Sequence, residues 1–331
     1  MTRNWTAEAL LEAARSFQVA CVLAAAADLE LFTGWAQEPL TAEQLARRRQ
    51  CNLRSMGMLL DALAALGLLH KQDDRYLPAP TVAELLQPDA PGTVLPMLQH
   101  QANCLRRWAQ LACVVQSGEP APPAPSIRGA AADQAAFIGA MHTICGPVAA
   151  GLLAELPVPP FRHLLDVGGA SGTWTIAFLR AFPEATATLF DLPEVIPLAE
   201  RRLSAAGLTA RVTLVGGDFT LHPLPTGADL AWLSAIVHQQ SRAENQVLFR
   251  QIHTALRPGG HLLLRDVVMD DARTAPLVGA LFALNMLAGT PRGGTFTFAE
   301  LRTDLEAAGF VEATLLHRDE GMNSVVQARR T

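Results

Sequence analysis

Lysine is all but missing from this 331-residue chain: Lys71 stands alone among 26 basic residues, which argues against a mechanism built on a lysine amine. Cysteine offers no framework either. Cys21, Cys51, Cys104, Cys113 and Cys145 are odd in number and widely spaced, with no C-x-x-C pair, so they read as reduced thiols of a cytoplasmic protein rather than disulfides or zinc ligands. His70, His100, His163, His222, His253, His261 and His317 show no metal-ligand spacing, and no metal is expected. Positive charge is also short. The formal net charge is −5, so no general attraction to nucleic acid or an anionic membrane is implied. The best apolar run near the start, Val19 to Ala27, stops at Asp28 and is too short to span a bilayer; neither export nor membrane insertion is expected. No internal repeat is found. What the chain does have is length for two domains and 50% hydrophobic residues, enough for a substantial core.

The most informative stretch is residues 164–172, LLDVGGASG. Leu164, Leu165 and Val167 read as a short buried strand, the glycines permit a sharp turn against a ligand, and Thr173 to Phe182 reads as the helix that follows, its free N–H groups aimed over the loop. A dinucleotide fingerprint would need glycine at 168, 170 and 173, where the chain has Gly168, Ala170 and Thr173. The loop instead matches D-x-G-x-x-x-G, from Asp166 through Gly168 to Gly172, with an extra Gly169. A carboxylate at Asp166 would repel a pyrophosphate but suits the ammonium group of an amino-acid-like ligand such as S-adenosylmethionine. Asp191 closes the next strand, where its two oxygens can accept both ribose hydroxyls, and Asp218 follows in GGDF.

Residues 1–100 read as helical: one helix near 7–27, another near 41–49 opened by Thr41 with Gln44 three residues on, and a third over 53–66 ending at Gly67. A short hairpin follows across residues 72–74. Two helices and a wing make a winged-helix pattern and raise a DNA-binding hypothesis. Charge opposes it: residues 1–90 carry 8 Lys+Arg against 11 Asp+Glu, where a phosphate-tracking surface needs a basic excess. Apolar helices that a small domain cannot bury alone favour a twofold partner, hence a dimerisation module. Residues 101–160 read as a helical linker, with helices near 94–116 and 135–155 around an irregular Pro/Ala/Gly stretch at 117–132. From 161 to 331, strands at 163–167, 186–191, 211–216, 229–234 and 261–268 alternate with helices, predicting a doubly wound α/β domain that closes with an antiparallel hairpin near 311–316 and 323–329.

With these residues in view, the chain resembles the class I S-adenosylmethionine-dependent O-methyltransferases of the hydroxyindole/caffeate type. The resemblance rests on DVGGASG, FDLPEV at 190–195, GGDF at 216–219, the segment ending at His238, RPGG at 257–260 and AAGF at 307–310. It implies a seven-stranded Rossmann-like catalytic domain behind a winged-helix-like dimerisation domain, and a homodimer. It further implies a cofactor site of Asp166, Gly168, Gly169, Gly172, Asp191, Leu192, Asp218, Phe219 and Ser234. His238 falls at the family's general base and Asp266 at the acidic position that orients it. Phe137, Met141, His142, Asn285 and Met286 fall at acceptor-pocket positions. Three departures stand out: Ser234 and Gln240 replace a lysine and a tryptophan of plant relatives, His238 is followed by Gln239-Gln240, and Thr295 stands near a second family glutamate.

The implied activity is methyl transfer to a hydroxyl of an aromatic or polyketide-like small molecule. A phenol is a poor nucleophile until its proton leaves, and a neutral histidine can take it. Three other readings stay open: carbon methylation or a non-methylating reaction on the same scaffold, a winged-helix regulator that senses a metabolite, and a nicotinamide-dependent oxidoreductase.

Overall fold

The computed structural model describes residues 4–35, 38–88, 90 and 92–331. The chain divides into two compact units, Met1–Ala109 with Pro123–Thr143, and Gln110–Pro122 with Ile144–Thr331.

In the first unit, α1 (Ala7–Arg15) and α2 (Phe17–Asp28) follow one another where apolar periodicity predicts a single helix. The break falls at Ser16, whose hydroxyl donates to the Ala13 carbonyl and competes for a helical acceptor. β1 (Leu40–Thr41) runs into α3 (Ala42–Arg48), where the capping box forms: the Gln44 N–H donates to Thr41 Oγ1, and the Thr41 N–H to the Gln44 side chain. α4 (Leu53–Ala65) is capped by Asn52 and ends before Gly67, which takes φ +77°, a left-handed turn that a side chain would resist. β2 (Leu69–Gln72) and β3 (Arg75–Pro78) make the expected hairpin, and β1 adds a third antiparallel strand against β3. The core beneath holds Leu31, Phe32, Trp35, Leu45, Met56, Leu60 and Leu63. By contrast α1 buries none of its residues and α2 buries Ala26 and Ala27, leaving Trp5, Leu10, Leu11 and Phe17 in the open.

α5 (Pro80–Leu85) and α6 (Leu95–Trp108) complete the first unit's contiguous run, and α7 (Leu111–Ser117) opens the second; the single helix expected over 94–116 is broken at Ala109-Gln110. After an irregular stretch, α8 (Ala130–Glu155) starts in the first unit and ends in the second, carrying Pro147 within it. By length and apolar composition alone, Ala7–Asp28 and Ala130–Glu155 would suffice to cross a membrane.

The second unit is built on β4 (His163–Val167), β5 (Thr186–Asp191), β6 (Val212–Gly216), β7 (Ala228–Ser234) and β8 (Leu256–Asp266). These five run parallel. β9 (Val268–Met269) and β10 (Phe296–Thr297) pair separately, while β11 (Phe310–His317) and β12 (Ser324–Arg330) close the main sheet as an antiparallel hairpin. The order is β11-β12-β8-β7-β4-β5-β6. α9 (Thr173–Ala181), α10 (Ile196–Ala205), α11 (Arg242–Ala255), α12 (Leu277–Gly289) and α13 (Phe298–Ala307) connect the strands.

Both faces of this sheet are covered, which is why its strands read as near-continuous apolar runs. Leu262 and Leu264 of β8 join a core with Phe249, Ile252 and Leu305, whereas Leu263 joins a second core with Trp174, Phe178 and Trp232. The chain goes from β4 outward to β5 and β6, then crosses to β7 on the other side. Crevices at the carboxyl ends of strands where the order reverses in this way are where open α/β sheets take ligands.

Candidate active site

The glycine loop follows β4. Gly168, Ala170 and Gly172 take φ of +69°, +47° and +77°, so the backbone winds left-handed at alternate residues. A Cβ on Gly169 would lie 2.6 Å from Leu189 Cγ and 3.0 Å from Asp166 Cγ, so the loop is seated against its own strand pair too closely for any side chain. Gly172 then starts α9 with no side-chain cap, leaving first-turn N–H groups for a ligand.

Asp191, at the end of β5, holds the loop's outer limb. Its Oδ2 accepts the Ala170 N–H and its Oδ1 the Leu192 N–H, both at 2.7 Å. Burial raises its pKa, against the pull of those two bonds. Asp166 lies under the loop, 1% exposed, accepting the Thr175 hydroxyl at 2.6 Å. Burial pushes its carboxyl up to about 7, and the charge of Asp191 adds to that rise. Asp218 is on the open side, its carboxylate held below the ordinary range by the Thr220 hydroxyl and N–H. Beside it, Phe219, Thr220, Gln240, Leu248 and Pro291 line a cavity of about 360 Å³. The Gln240 Oε1 is buried without a hydrogen-bond partner. Ser234 ends β7 and accepts from Arg265 Nη1 at 3.0 Å.

His238 lies in a single 3₁₀ turn just beyond β7, 6% exposed. Its Nδ1 is 2.9 Å from each carboxylate oxygen of Asp266, at the end of β8, and Asp266 Oδ1 also accepts the Val267 N–H. A carboxylate can only accept, so Nδ1 carries a proton, and in the neutral imidazole the lone pair is then on Nε2. Phe282 of α12 packs edge-on against the ring, centroids 4.8 Å apart at 81°. Asn245 Nδ2 donates to the Val237 carbonyl at 2.9 Å from below. Asn285 and Met286 lie on α12 within one turn of Phe282, Met286 buried. Phe137, Met141 and His142 lie on the part of α8 that belongs to the first unit, where Phe137 tilts against His100 at 5.2 Å. Thr295 is buried, its hydroxyl directed to the Gly279 carbonyl at 3.4 Å.

Two residues near the strand ends escape sequence reasoning. Arg265 is 1% exposed, stacks on Trp174 at 4.9 Å and donates to Asn323 Oδ1 and Ser234 Oγ. Burial lowers its pKa. The signal was an arginine at an inward position of the run HLLLRDVV. Phe282 carried no signal, because it is one apolar residue among many on α12.

Two family models match this chain: the O-methyltransferase domain over residues 126–311, and the O-methyltransferase dimerisation domain over residues 11–87. Over 309 residues the chain is 33% identical to the tetracenomycin polyketide synthesis 8-O-methyl transferase of Streptomyces glaucescens, covering 92% of this chain and 91% of that protein. The crystal structure of human N-acetylserotonin methyltransferase in complex with SAM superposes with a TM-score of 0.81 at 25% identity, over 100% of this chain and 99% of that one. That of N,N-8-amino-8-demethyl-D-riboflavin dimethyltransferase from Streptomyces davawensis gives 0.81 at 28% identity, over 99% and 100%.

Proposed function

This chain belongs to the S-adenosylmethionine-dependent O-methyltransferase family, a catalytic domain preceded by its dimerisation domain, and from that premise we propose that it methylates a hydroxyl of an aromatic or polyketide-like small molecule, with His238 as general base. The observation that carries the proposal is the buried His238–Asp266 pair at the carboxyl ends of β7 and β8, its Nδ1 committed at 2.9 Å to the carboxylate.

The residues present fit the cofactor. Each Asp191 oxygen accepts one backbone N–H, Oδ2 from Ala170 of the loop and Oδ1 from Leu192, and retains a lone pair that would be open to a ribose hydroxyl. The Gln240 Oε1, buried without a partner on the cavity that Phe219 also lines, would be available to accept from an adenine amino group. The loop of Gly168, Gly169 and Gly172, seated against Ile236, Leu189 and Leu203, would present its backbone to the ligand, with Asp166 toward the methionine end, Asp218 and Phe219 at the adenine, and Leu192 and Ser234 near the cofactor. When bound, S-adenosylmethionine supplies a methyl group already activated on a sulfonium. The protein's own work is alignment and one proton: His238 Nε2 removes the acceptor's hydroxyl proton, and Asp266 keeps the imidazole in the required tautomer and stabilises the imidazolium. Asn285 and Met286 on α12 are assigned to acceptor recognition; an apolar lining with few polar groups suits a planar ring system.

The same reading makes the protein a homodimer, in which the exposed apolar faces of α1, which runs into the matched dimerisation region, and of α2, which lies inside it, are covered by a second copy. The shortage of basic residues in residues 1–90 favours this over a DNA reader.

The test is methyl transfer from labelled S-adenosylmethionine to a panel of hydroxylated naphthoates, anthraquinones and simple phenols. The product is expected to gain a methyl and lose one exchangeable hydroxyl proton. His238→Ala should bind S-adenosylmethionine as the wild type does and turn over about 10²–10⁴-fold more slowly. Undiminished turnover refutes the base assignment, and a methylated product that keeps every hydroxyl proton refutes the oxygen acceptor.

A further inference from the structure

We propose that the turn from Thr290 to Gly294, and Gly293 within it, is a positioning device that holds the catalytic base in register with α12, an inference that rests on the reading of His238 as base. Asp266 fixes the far side of the imidazole through Nδ1, but a ring so tethered still moves with its own main chain. That main chain is gripped separately. The Gly294 N–H donates to the His238 carbonyl at 2.9 Å. The Gly293 N–H donates to Thr290 Oγ1 at 2.9 Å, and that hydroxyl donates in turn to the Met286 carbonyl at 2.7 Å. Met286 lies one turn beyond Phe282, whose ring meets the His238 ring edge-on. Both the imidazole and its backbone are therefore referenced to the same helix, the one assigned above to acceptor recognition.

Gly293 is the point at which this arrangement admits no side chain. A Cβ there would run into the His238 carbonyl oxygen and the Thr290 hydroxyl, far inside van der Waals contact, and would come within 3.2 Å of the Gln239 carbonyl carbon. A Cβ on Gly294, its neighbour, would meet nothing within 4 Å. Neither glycine is left-handed, so the difference between them is space alone. Since catalysis by alignment is sensitive to displacements on the order of 1 Å, a side chain at 293 that pushes the His238 carbonyl away should shift the base without touching the cofactor loop.

The pair supplies its own control. In protein labelled with ¹⁵N-histidine, the Nδ1–H of His238, hydrogen-bonded to a carboxylate, gives a low-field proton resonance, assigned by its absence from His238→Ala. Gly293→Ala is expected to lose or broaden that resonance while its S-adenosylmethionine dissociation constant, by calorimetry, stays within about two-fold of wild type. Gly294→Ala should keep both. Thr290→Val, which removes the linking hydroxyl without adding bulk, should weaken the resonance and carries the test should Gly293→Ala not fold. Retention of the full resonance in both Gly293→Ala and Thr290→Val, or equal loss in Gly294→Ala, overturns the proposal. Because the resonance reports the pair and not turnover, its persistence in both Gly293→Ala and Thr290→Val sinks the positioning role even where His238→Ala is inactive. An active His238→Ala enzyme sinks the base assignment whatever the resonance does.

Discussion

Asp166 lies 1% exposed beneath the glycine loop, and burial lifts its carboxyl from 3.8 to about 7. That rise of about 3 units, at 1.36 kcal/mol each, corresponds to about 4 kcal/mol of folding free energy. The sign follows from proton linkage. Below about pH 4 both folded and unfolded chains hold the proton and the group costs nothing. As pH rises, the unfolded chain releases its proton near 4 while the folded chain keeps it to near 7, so stability falls through that window and the cost is complete above it. Asp166→Asn cannot ionise, yet its amide oxygen can still accept the Thr175 hydroxyl that now bonds Oδ2 at 2.6 Å. The variant should therefore melt close to wild type at pH 4–5 and about 5–10 °C higher at pH 8, on the usual entropy of unfolding for a domain of this size. Differential scanning fluorimetry across that range reads the gap directly. A gap that does not widen with pH refutes the reasoning. Calorimetry adds a second arm, because a carboxylate that meets the ammonium end of S-adenosylmethionine is ionised in the complex. Binding near pH 7 would then release a proton in the wild type and none in the variant, visible as a difference between buffers of unlike ionisation heat.

Two further outcomes are expected. Asp191→Ala removes the carboxylate that ties Ala170 and Leu192 together and that is assigned to the ribose, so S-adenosylmethionine should bind at least about 10-fold more weakly, on the scale of about 1.5–3 kcal/mol for a charge-assisted hydrogen bond; unchanged affinity by calorimetry would remove Asp191 from the cofactor site. Phe17→Glu places a charge on the α2 face where Phe17 is 55% exposed, and light scattering should find a folded monomer. A persistent dimer would move the interface off this helix.

The strands of the second unit were legible because each is a short apolar run punctuated by glycine or an acid. The same punctuation put Asp191, Asp218 and Asp266 at or just after strand ends. The pairing of His238 with Asp266, 28 residues apart, was accessible through the resemblance and not through spacing, since nothing local links two parallel strand ends. The helix breaks at Ser16 and at Ala109-Gln110 carry no glycine or proline and left the periodicity intact. β1, β9 and β10 are two residues long each and exist by virtue of a partner elsewhere in the chain. Arg265 was hidden for the opposite reason: a charge in a strand reads as a solvent-facing end, whereas here the planar guanidinium is covered by the Trp174 ring and satisfied by Asn323 and Ser234.

The position of Thr295 bears on which acceptors this site can serve. Its hydroxyl is directed to the Gly279 carbonyl, and among the described residues the ion-pair partner found for His238 is Asp266. With His238 as base, a single carboxylate balances the charge that develops on the imidazolium. Less of the driving force for proton removal then comes from the protein, and more must come from the acceptor's own acidity. Hydroxyls on fused or carbonyl-conjugated rings, whose anions are delocalised, meet that requirement better than an isolated phenol does. The same shortage raises the value of geometry, because a base with one electrostatic partner gains most from being held still. The grip of Gly294 on the His238 carbonyl, the edge-on Phe282 ring and the Asn245 amide under the turn are what the fold provides for that purpose. With His238 as base, the threonine that stands where the resemblance puts a glutamate predicts a narrower range of acceptors, weighted toward the more acidic hydroxyls.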